Sequence, residues 1–371
     1  MLRYIVRRLL LMIPTLLGIL VVSFLVVQFA PGGPVERIIA QLSGTDVGAT
    51  ARFGGGGGGE AGSGASANIG AGDTSAGSKY RGAQGLDPDF IKKLEKQFGF
   101  DKPPLERFLL MLGNYVRFDF GESYYRNVSV ISLIKEKLPV SISLGLWMAL
   151  ISYTISIPLG IRKAVSDGSN FDVWTSTVII IGYAIPGFLF AILLIVLFAG
   201  GTFLDWFPLR GLTSDNWEQL SWPEKIVDYF WHLTLPLTAL ALSAFATTTF
   251  LTKNSFLDEI KKQYVVTARA KGLTENGVLY GHVFRNAMLI IISGFPSAFV
   301  GAFFAGSLLI ETIFSLDGIG LLGFESIVNR DYPVVFGTLF IFSLVGLVVG
   351  LISDLVYMWV DPRIDFESRE V

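Results

Sequence analysis

Six uncharged stretches, each long enough to cross a lipid bilayer, limit what this chain of 371 residues can fold into. They run Leu9–Ala30, Leu138–Gly160, Thr175–Ala199, Leu233–Thr252, Ala287–Ile310 and Pro333–Ser353. A membrane-crossing helix needs about 20 predominantly apolar residues. The apolar character wraps all round each stretch, so these read as spans and not as amphipathic surface helices. Most carry a proline: Pro14, Pro158, Pro186, Pro236 and Pro296. Proline breaks a helix in water, but within a bundle neighbouring helices re-satisfy the freed backbone groups. The short alternating strands of a β-barrel are absent from the pattern. The expectation is an all-α polytopic membrane protein with six transmembrane helices.

Charge supports the same picture. Only 16% of the residues are charged, against about 25% in soluble domains, and they gather between the spans. A net charge of −2 gives no reason to expect a nucleic-acid partner. With no cysteine there is no disulfide framework and no thiolate chemistry. Two histidines, His232 and His282, cannot build a structural zinc cluster, so no metal site is expected. The first apolar run, 22 residues long, exceeds the roughly 7–15 of a cleaved signal. Residues 1–30 are therefore expected to remain as the N-terminal segment and first span.

Lys and Arg in the short flanks set the orientation. One side collects Arg3, Arg7, Arg8, Arg162, Lys163, Lys253, Lys261, Lys262, Arg269, Lys271, Arg285, Arg363 and Arg369. The other short loops offer Arg210, Lys225 and Arg330. This places both termini in the cytoplasm and makes 31–137 a long outside loop. Within it, residues 43–86 hold 15 glycines, including the run Gly54–Gly59, and few large apolar groups. Such a stretch cannot bury enough surface to offset its ordering entropy and reads as a flexible linker. It lacks the Lys-Ser/Thr of a phosphate-binding loop. Residues 87–137 read as helical. Asp87 and Pro88 form a cap and first-turn pair. Phe90, Ile91, Leu94 and Phe98, then Leu105, Phe108, Leu109, Leu112, Tyr115 and Val116, recur at helical spacing. They either pack on the bundle or meet a soluble partner. The remainder, 138–371, reads as a five-helix core.

The most informative segment is the cytoplasmic loop 253–286. It reads Tyr264-Val-Val-Thr267-Ala268-Arg269-Ala270-Lys271-Gly272-Leu273, then His282-Val-Phe-Arg285-Asn286-Ala287. Helix propensity is high from Asp258 to Ala270, and Gly272 stands where a C-cap belongs. Small residues on a short helix let another backbone approach, while Arg269 and Lys271 add donors for a partner's carboxylates or carbonyls. The segment reads as a compact docking helix.

That loop resembles the peptide/nickel form of the coupling signature of binding-protein-dependent ABC permeases. Val266-Thr267-Ala268 stands in the place of the usual Glu-Ala-Ala, so the glutamate's role does not carry over. Three further segments resemble the same branch. They are Tyr4-Ile-Val-Arg7-Arg8…Ile13-Pro14-Thr15 with Ala30-Pro31-Gly32-Gly33-Pro34, then Glu311-Thr312-Ile-Phe314-Ser…Gly318-Ile-Gly320…Asn329-Arg330-Asp331-Tyr332-Pro333, and Asp361-Pro362-Arg363-Ile364. The Gly-rich insertion, Gly85-Leu86-Asp87-Pro88, Tyr183-Ala-Ile-Pro186 and Asp365-Phe366-Glu367 resemble the Yej-type branch, whose family role is uptake of oligopeptides and microcin C.

The resemblance implies a type I importer permease fold in the bacterial inner membrane. It implies a second permease as heterodimeric partner, a cytoplasmic ABC ATPase that binds ATP and Mg, and a periplasmic solute-binding protein. It places Tyr264, Thr267, Ala268, Arg269, Ala270, Lys271 and Gly272 at the ATPase contact. The chain itself is expected to hold no cofactor and no catalytic residue. Polar groups inside the spans, among them Gln28, Tyr153, Tyr183 and Thr248, are candidates for the translocation path, or else bond between helices. Trp147, Trp174, Trp206 and Trp359 read as interfacial anchors. Arg330 and Asp331 form either a gate pair or a solvated turn. A secondary transporter or channel is the alternative, but the six runs lack the internal charges that ion coupling uses. An intramembrane enzyme fits less well, since His232 and His282 lie at loop edges.

Deleting residues 50–78 is expected to leave membrane insertion and detergent-extracted yield unchanged, because a linker buries little surface. Loss of insertion on fractionation would contradict the linker reading.

Overall fold

The computed structural model describes residues 2–29, 101–126, 128–201, 203–304 and 308–360. The Gly-rich segment 43–86, the helical pattern at 87–98 and the motif at Asp361–Glu367 lie outside them. The described residues form helices and connecting turns, with one isolated bridge between Glu122 and Ser129. They fall into two compact units. One is drawn from Met1–Gly18, Ser132–Phe324 and Thr338–Val371, the other from Ile19–Ile131 and Glu325–Gly337.

The helices are α1 (Leu2–Phe29), α2 (Pro104–Val116), α3 (Val130–Val165), α4 (Asn170–Ala184), α5 (Gly187–Phe198), α6 (Trp222–Ile260), α7 (Gln263–Ala270), α8 (Glu275–Val278), α9 (Phe284–Phe304), α10 (Leu308–Ile313), α11 (Ile319–Asn329) and α12 (Tyr332–Val360). Four are long and apolar enough to cross a membrane singly, and two bent pairs bring the number to six if each pair is one span. The second of these pairs is α6 itself, whose parts Trp222–Leu242 and Ala244–Ile260 bend by 49°.

The other pair is α4 and α5, which meet at 91°. The uncharged run Thr175–Ala199, expected as one helix, is thus broken in its middle. Ile185 takes an extended conformation ahead of Pro186, the conformation a residue before proline prefers. Pro186, which has no N–H to leave unpaired, then stands at the N-cap of α5. Pro14, Pro139, Pro158, Pro236 and Pro296 all remain inside helices.

Among its described residues the larger unit has two apolar centres. The first joins Leu144 of α3, Ala191 and Leu194 of α5, Leu233 and Leu237 of α6, and Ile310 of α10. Trp147, expected at the membrane interface, belongs here instead. It is half-buried, donates its indole Nε1 to Tyr229 Oη at 3.0 Å, and meets Phe230 edge-on at 4.7 Å. Trp174, Trp206 and Trp359 keep most of their surface exposed. Beside this centre, α3 meets α6 through the small residues Ser156 and Gly160, spaced one turn apart. Ser156 Oγ donates to Phe245 O at 3.2 Å. A Cβ on Gly160 would stand 2.6 Å from Thr252 Cβ and 2.8 Å from Thr249 O. Close backbone approach through small residues is a standard way for membrane helices to associate.

The segment after α10 is tied down by polar groups. Glu311, fully buried, accepts from Leu321 N at 2.7 Å. A Cβ on Gly318 would lie 2.5 Å from that carboxylate. Ser141 Oγ accepts from Ile319 N at 2.9 Å, and Lys137 pairs with Asp317.

In the smaller unit, the pattern from Leu105 to Val116 forms α2, with Phe108 edge-on to Phe24 at 5.3 Å. Asp331 is neither a gate partner of Arg330 nor a solvated turn residue. It is 4% exposed and precedes α12, taking Ser123 Oγ at 2.5 Å and Tyr124 N at 3.1 Å. Burial holds its carboxyl above the usual value, against the opposing pull of the Ser123 bond. The preceding Arg330 has a positive φ of 59°.

Gly160→Val should lower the stability of the detergent-solubilised chain by about 1–3 kcal/mol, the usual cost of overpacking. Thermal-shift measurement checks this, and an unchanged midpoint would show that the α3–α6 crossing yields freely.

Candidate functional site

The helix expected to dock is shorter than helix propensity suggests. α6 runs through Asp258 to Ile260, Lys261 and Lys262 turn the chain, and α7 begins at Gln263. Lys262 is extended and pairs with Glu259, whose other oxygen accepts from Tyr264 Oη at 2.7 Å. Burial, and after it the bond to Glu259, raises the Tyr264 phenol above its usual pKa. α7 ends as the sequence implies. Gly272 sits at φ +82°, with its N–H on Arg269 O at 2.9 Å, a left-handed turn that glycine adopts without cost. Thr274 then caps α8, its hydroxyl accepting from Gly277 N at 3.2 Å. A π-helical turn, Leu279–Val283, joins α8 to α9. Such turns recur at functional sites.

α7 has two faces. Val265 and Ala268 point into the second apolar centre, 0% and 5% exposed. There they meet Ile161 and Ala164 of α3, Phe256 of α6, and Ala287 and Ile291 of α9. Ser255 Oγ, donating to Ala287 O at 2.6 Å, ties α6 to α9 close by. Val266, Thr267, Arg269, Ala270, Lys271 and Gly272 lie exposed on the other face. Ala268, expected at the surface where a partner's backbone approaches, is thus an inward-facing packing residue. Arg269 is exposed, but its fork is taken up by Glu275, with Nε to Oε1 at 3.0 Å and Nη2 to Oε2 at 2.9 Å. This pair closes the loop between α7 and α8. Thr267 Oγ1 returns to Gln263 O at 3.1 Å. The outward surface is therefore a firm patch of methyls, backbone and cationic stems.

The translocation-path candidates are not gathered into one place by either of two cavities in the larger unit. Tyr153 meets Phe295 edge-on at 4.9 Å, Thr248 Oγ1 bonds Ala244 O at 3.1 Å, and Tyr183 is exposed just before the α4–α5 bend. The side chain of Gln28 lies outside the described residues. One cavity, of about 450 Å³, lies among Ile151, Phe190, Phe230, Leu237 and Phe245. Thr234 and Thr238 also line it but return their hydroxyls to Phe230 O and Thr234 O, so its wall is apolar. The other, of about 670 Å³, is walled by Asp205, Trp206, Phe207, Asp228, Trp231 and His232. Asp228 is engaged there by Ser214 N at 2.9 Å, and His232 Nδ1 stands 2.8 Å from Asp228 O.

Two lysines read from sequence only as orientation signals have other partners. Lys163 and Lys253 are both paired with Asp172, at 2.9 and 2.7 Å. The available signal was an aspartate in the first turn of α4, facing one lysine nine residues earlier.

The family model described as binding-protein-dependent transport system inner membrane component matches residues 156–366, from within α3 to beyond α12. The chain is 73% identical, over 99% of both lengths, to the "Peptidoglycan transport system permease protein YejB" of Agrobacterium fabrum. It is 59% identical, again over 99% of both, to the "Inner membrane ABC transporter permease protein YejB" of Escherichia coli. It is 34% identical to the "Oligopeptide transport system permease protein AppB" of Bacillus subtilis, over 98% of this chain and 99% of that one.

The two faces of α7 are separable by substitution. Ala268→Leu should destabilise the isolated chain by about 1–3 kcal/mol through overpacking. Ala270→Leu should stay within about 0.5 kcal/mol, as surface changes do. Equal thermal-shift midpoints for the two would remove the inside–outside distinction.

Proposed function

Because the chain belongs to the family of binding-protein-dependent transport system inner membrane components, we propose that it is the permease subunit of an ATP-driven importer of peptides and peptide-like solutes. Two of its relatives are named for peptidoglycan and for oligopeptide transport, which favours solutes built on a short peptide. Microcin C-type compounds enter this reading only through the resemblance of the sequence to the Yej-type branch. In this reading each bent helix pair is one span, giving six. The termini are cytoplasmic and the segment after α1 is periplasmic. A second, different permease completes the path, and a solute-binding protein delivers cargo from outside. ATP and Mg belong to the partner ATPase, and this chain contributes no covalent chemistry.

The observation that carries the proposal is the two-faced α7. Its inner face is fixed to α3, α6 and α9, and its outer face is left to a partner. In this reading the ATPase seats the outer face. When nucleotide closes the ATPase pair, α7 carries the displacement into the three helices it is packed on. Nucleotide thereby biases a bundle with two arrangements toward one of them, through its differential affinity for the two.

Affinity capture of the intact solubilised chain, followed by mass spectrometry, should recover a second permease and an ATPase bearing a phosphate-binding loop. Ala270→Trp should reduce the recovered ATPase at least about tenfold, as for a central interface residue, with the permease partner retained. Wild-type chain that captures no ATPase would favour a self-contained channel or secondary carrier. Undiminished ATPase on Ala270→Trp would move the contact elsewhere.

A further inference from the structure

Four charged side chains join the end of α3, the start of α4 and the part of α6 nearest α7. Lys163 is fully buried. Its Nζ lies 2.9 Å from Asp172 Oδ1, 2.8 Å from Asp172 O, and 2.7 Å from the hydroxyls of Thr175 and Ser176. The other carboxylate oxygen of Asp172 takes Lys253 Nζ at 2.7 Å and Gly168 N at 3.1 Å. Lys253 reaches on to Asp167 at 2.9 Å. Asp172 thus binds a lysine from α3 with one oxygen and a lysine from α6 with the other, while it sits in the first turn of α4.

Buried ion pairs seldom stabilise a fold more than apolar residues of the same volume would, because desolvation consumes much of the attraction. What they do supply is a fixed geometry, since each charge left alone would be costly. The location gives that geometry a use. Ile161 and Ala164, flanking Lys163, and Phe256, just beyond Lys253, are the residues on which Val265 and Ala268 of α7 are seated. The helices that hold the docking helix therefore also hold the first turn of α4, and α4 ends at the 91° bend into α5.

We propose that Asp172 is a positioning residue for transport, a clamp that makes α4 move as one body with α3 and α6 when α7 is displaced. Motion imposed at the docking surface then reaches the Ile185–Pro186 joint. The proposal rests on the importer reading above, and it is tested so that the two fail separately. The chain has no cysteine, so Thr177→Cys on α4 and Lys261→Cys after α6 give a unique pair for spin labels. In the solubilised chain alone, Asp172→Asn should broaden the interspin distance distribution, and Asp172→Glu should restore a narrow one. An unchanged distribution in Asp172→Asn overturns the clamp, whatever partners the chain has.

In liposomes holding the complete complex, Asp172→Asn and Lys163→Met should keep ATPase association and hydrolysis within about twofold. Uptake of radiolabelled trialanine should fall about tenfold, a size typical of a residue within a coupling network. Uptake equal to wild type, or falling only in step with hydrolysis and inserted protein, overturns the coupling role. Absence of ATPase from the wild-type preparation sinks the importer reading instead, and the spin-label result still decides the clamp.

Discussion

A helix leaves four N–H groups and four C=O groups unpaired at its ends, and hydrocarbon offers them no partner. That constraint orders much of this molecule, because its long apolar helices turn back at points where the chain must be capped from within. Ser169 caps α4 by accepting from Asp172 N, and Glu224 folds back on Ser221 N at the start of α6. Asp331, buried ahead of α12, takes Ser123 and Tyr124. Glu311 takes the N–H of Leu321. Polar and charged residues are scarce here, and Ser169, Glu224 and Glu311 serve the backbone at helix starts. This is why several acids that look chemically available, Asp228 and Glu224 among them, already have structural work inside the chain.

The same economy explains α7. Eight residues make too short a helix to stand alone in water, so α7 needs an apolar face seated on something rigid. Val265 and Ala268 supply that face, and the ends of three long helices supply the seat. Gly272 and the Arg269–Glu275 pair then fix how the chain leaves α7. A segment held this way delivers displacement instead of absorbing it, since packed interiors transmit strain. The features that make the loop fold are thus those that would make it a mechanical contact.

How much of this was legible in the sequence depends on the range of the interaction. That the chain carries four to six apolar helices long enough to span was legible, because each is a property of about 20 consecutive residues. Gly272 was, because a C-cap is decided within one turn. The break at Pro186 was not. Five other prolines stay inside helices, so a proline alone does not decide where an apolar run breaks. Ala268 and Ala270 are the same residue two positions apart, and only the position of α3 and α9 makes one a packing residue and the other a surface. Trp147 and Asp331 were misread for a similar reason. Near a predicted boundary each suits the water interface, and each found a buried partner 82 or 208 residues away.

The Lys163–Asp172–Lys253 network and the α4–α5 bend give one stretch of chain two mechanical characters. At its start, α4 is tied to two neighbours by charges that cannot separate cheaply once out of water. At its end it meets α5 through one extended residue and a proline that donates no hydrogen bond. Local stability follows buried contacts and satisfied backbone bonds, and the charged pairs concentrate those contacts at the start of α4. Without the joint, displacement at the clamped end would have to bend a continuous helix. With it, the chain can convert a shift near α7 into a change of angle between α4 and α5, while the helix core stays intact. Apolar packing also transmits displacement, and what the ion pairs add is a fixed register for the start of α4, since each charge left alone would be costly.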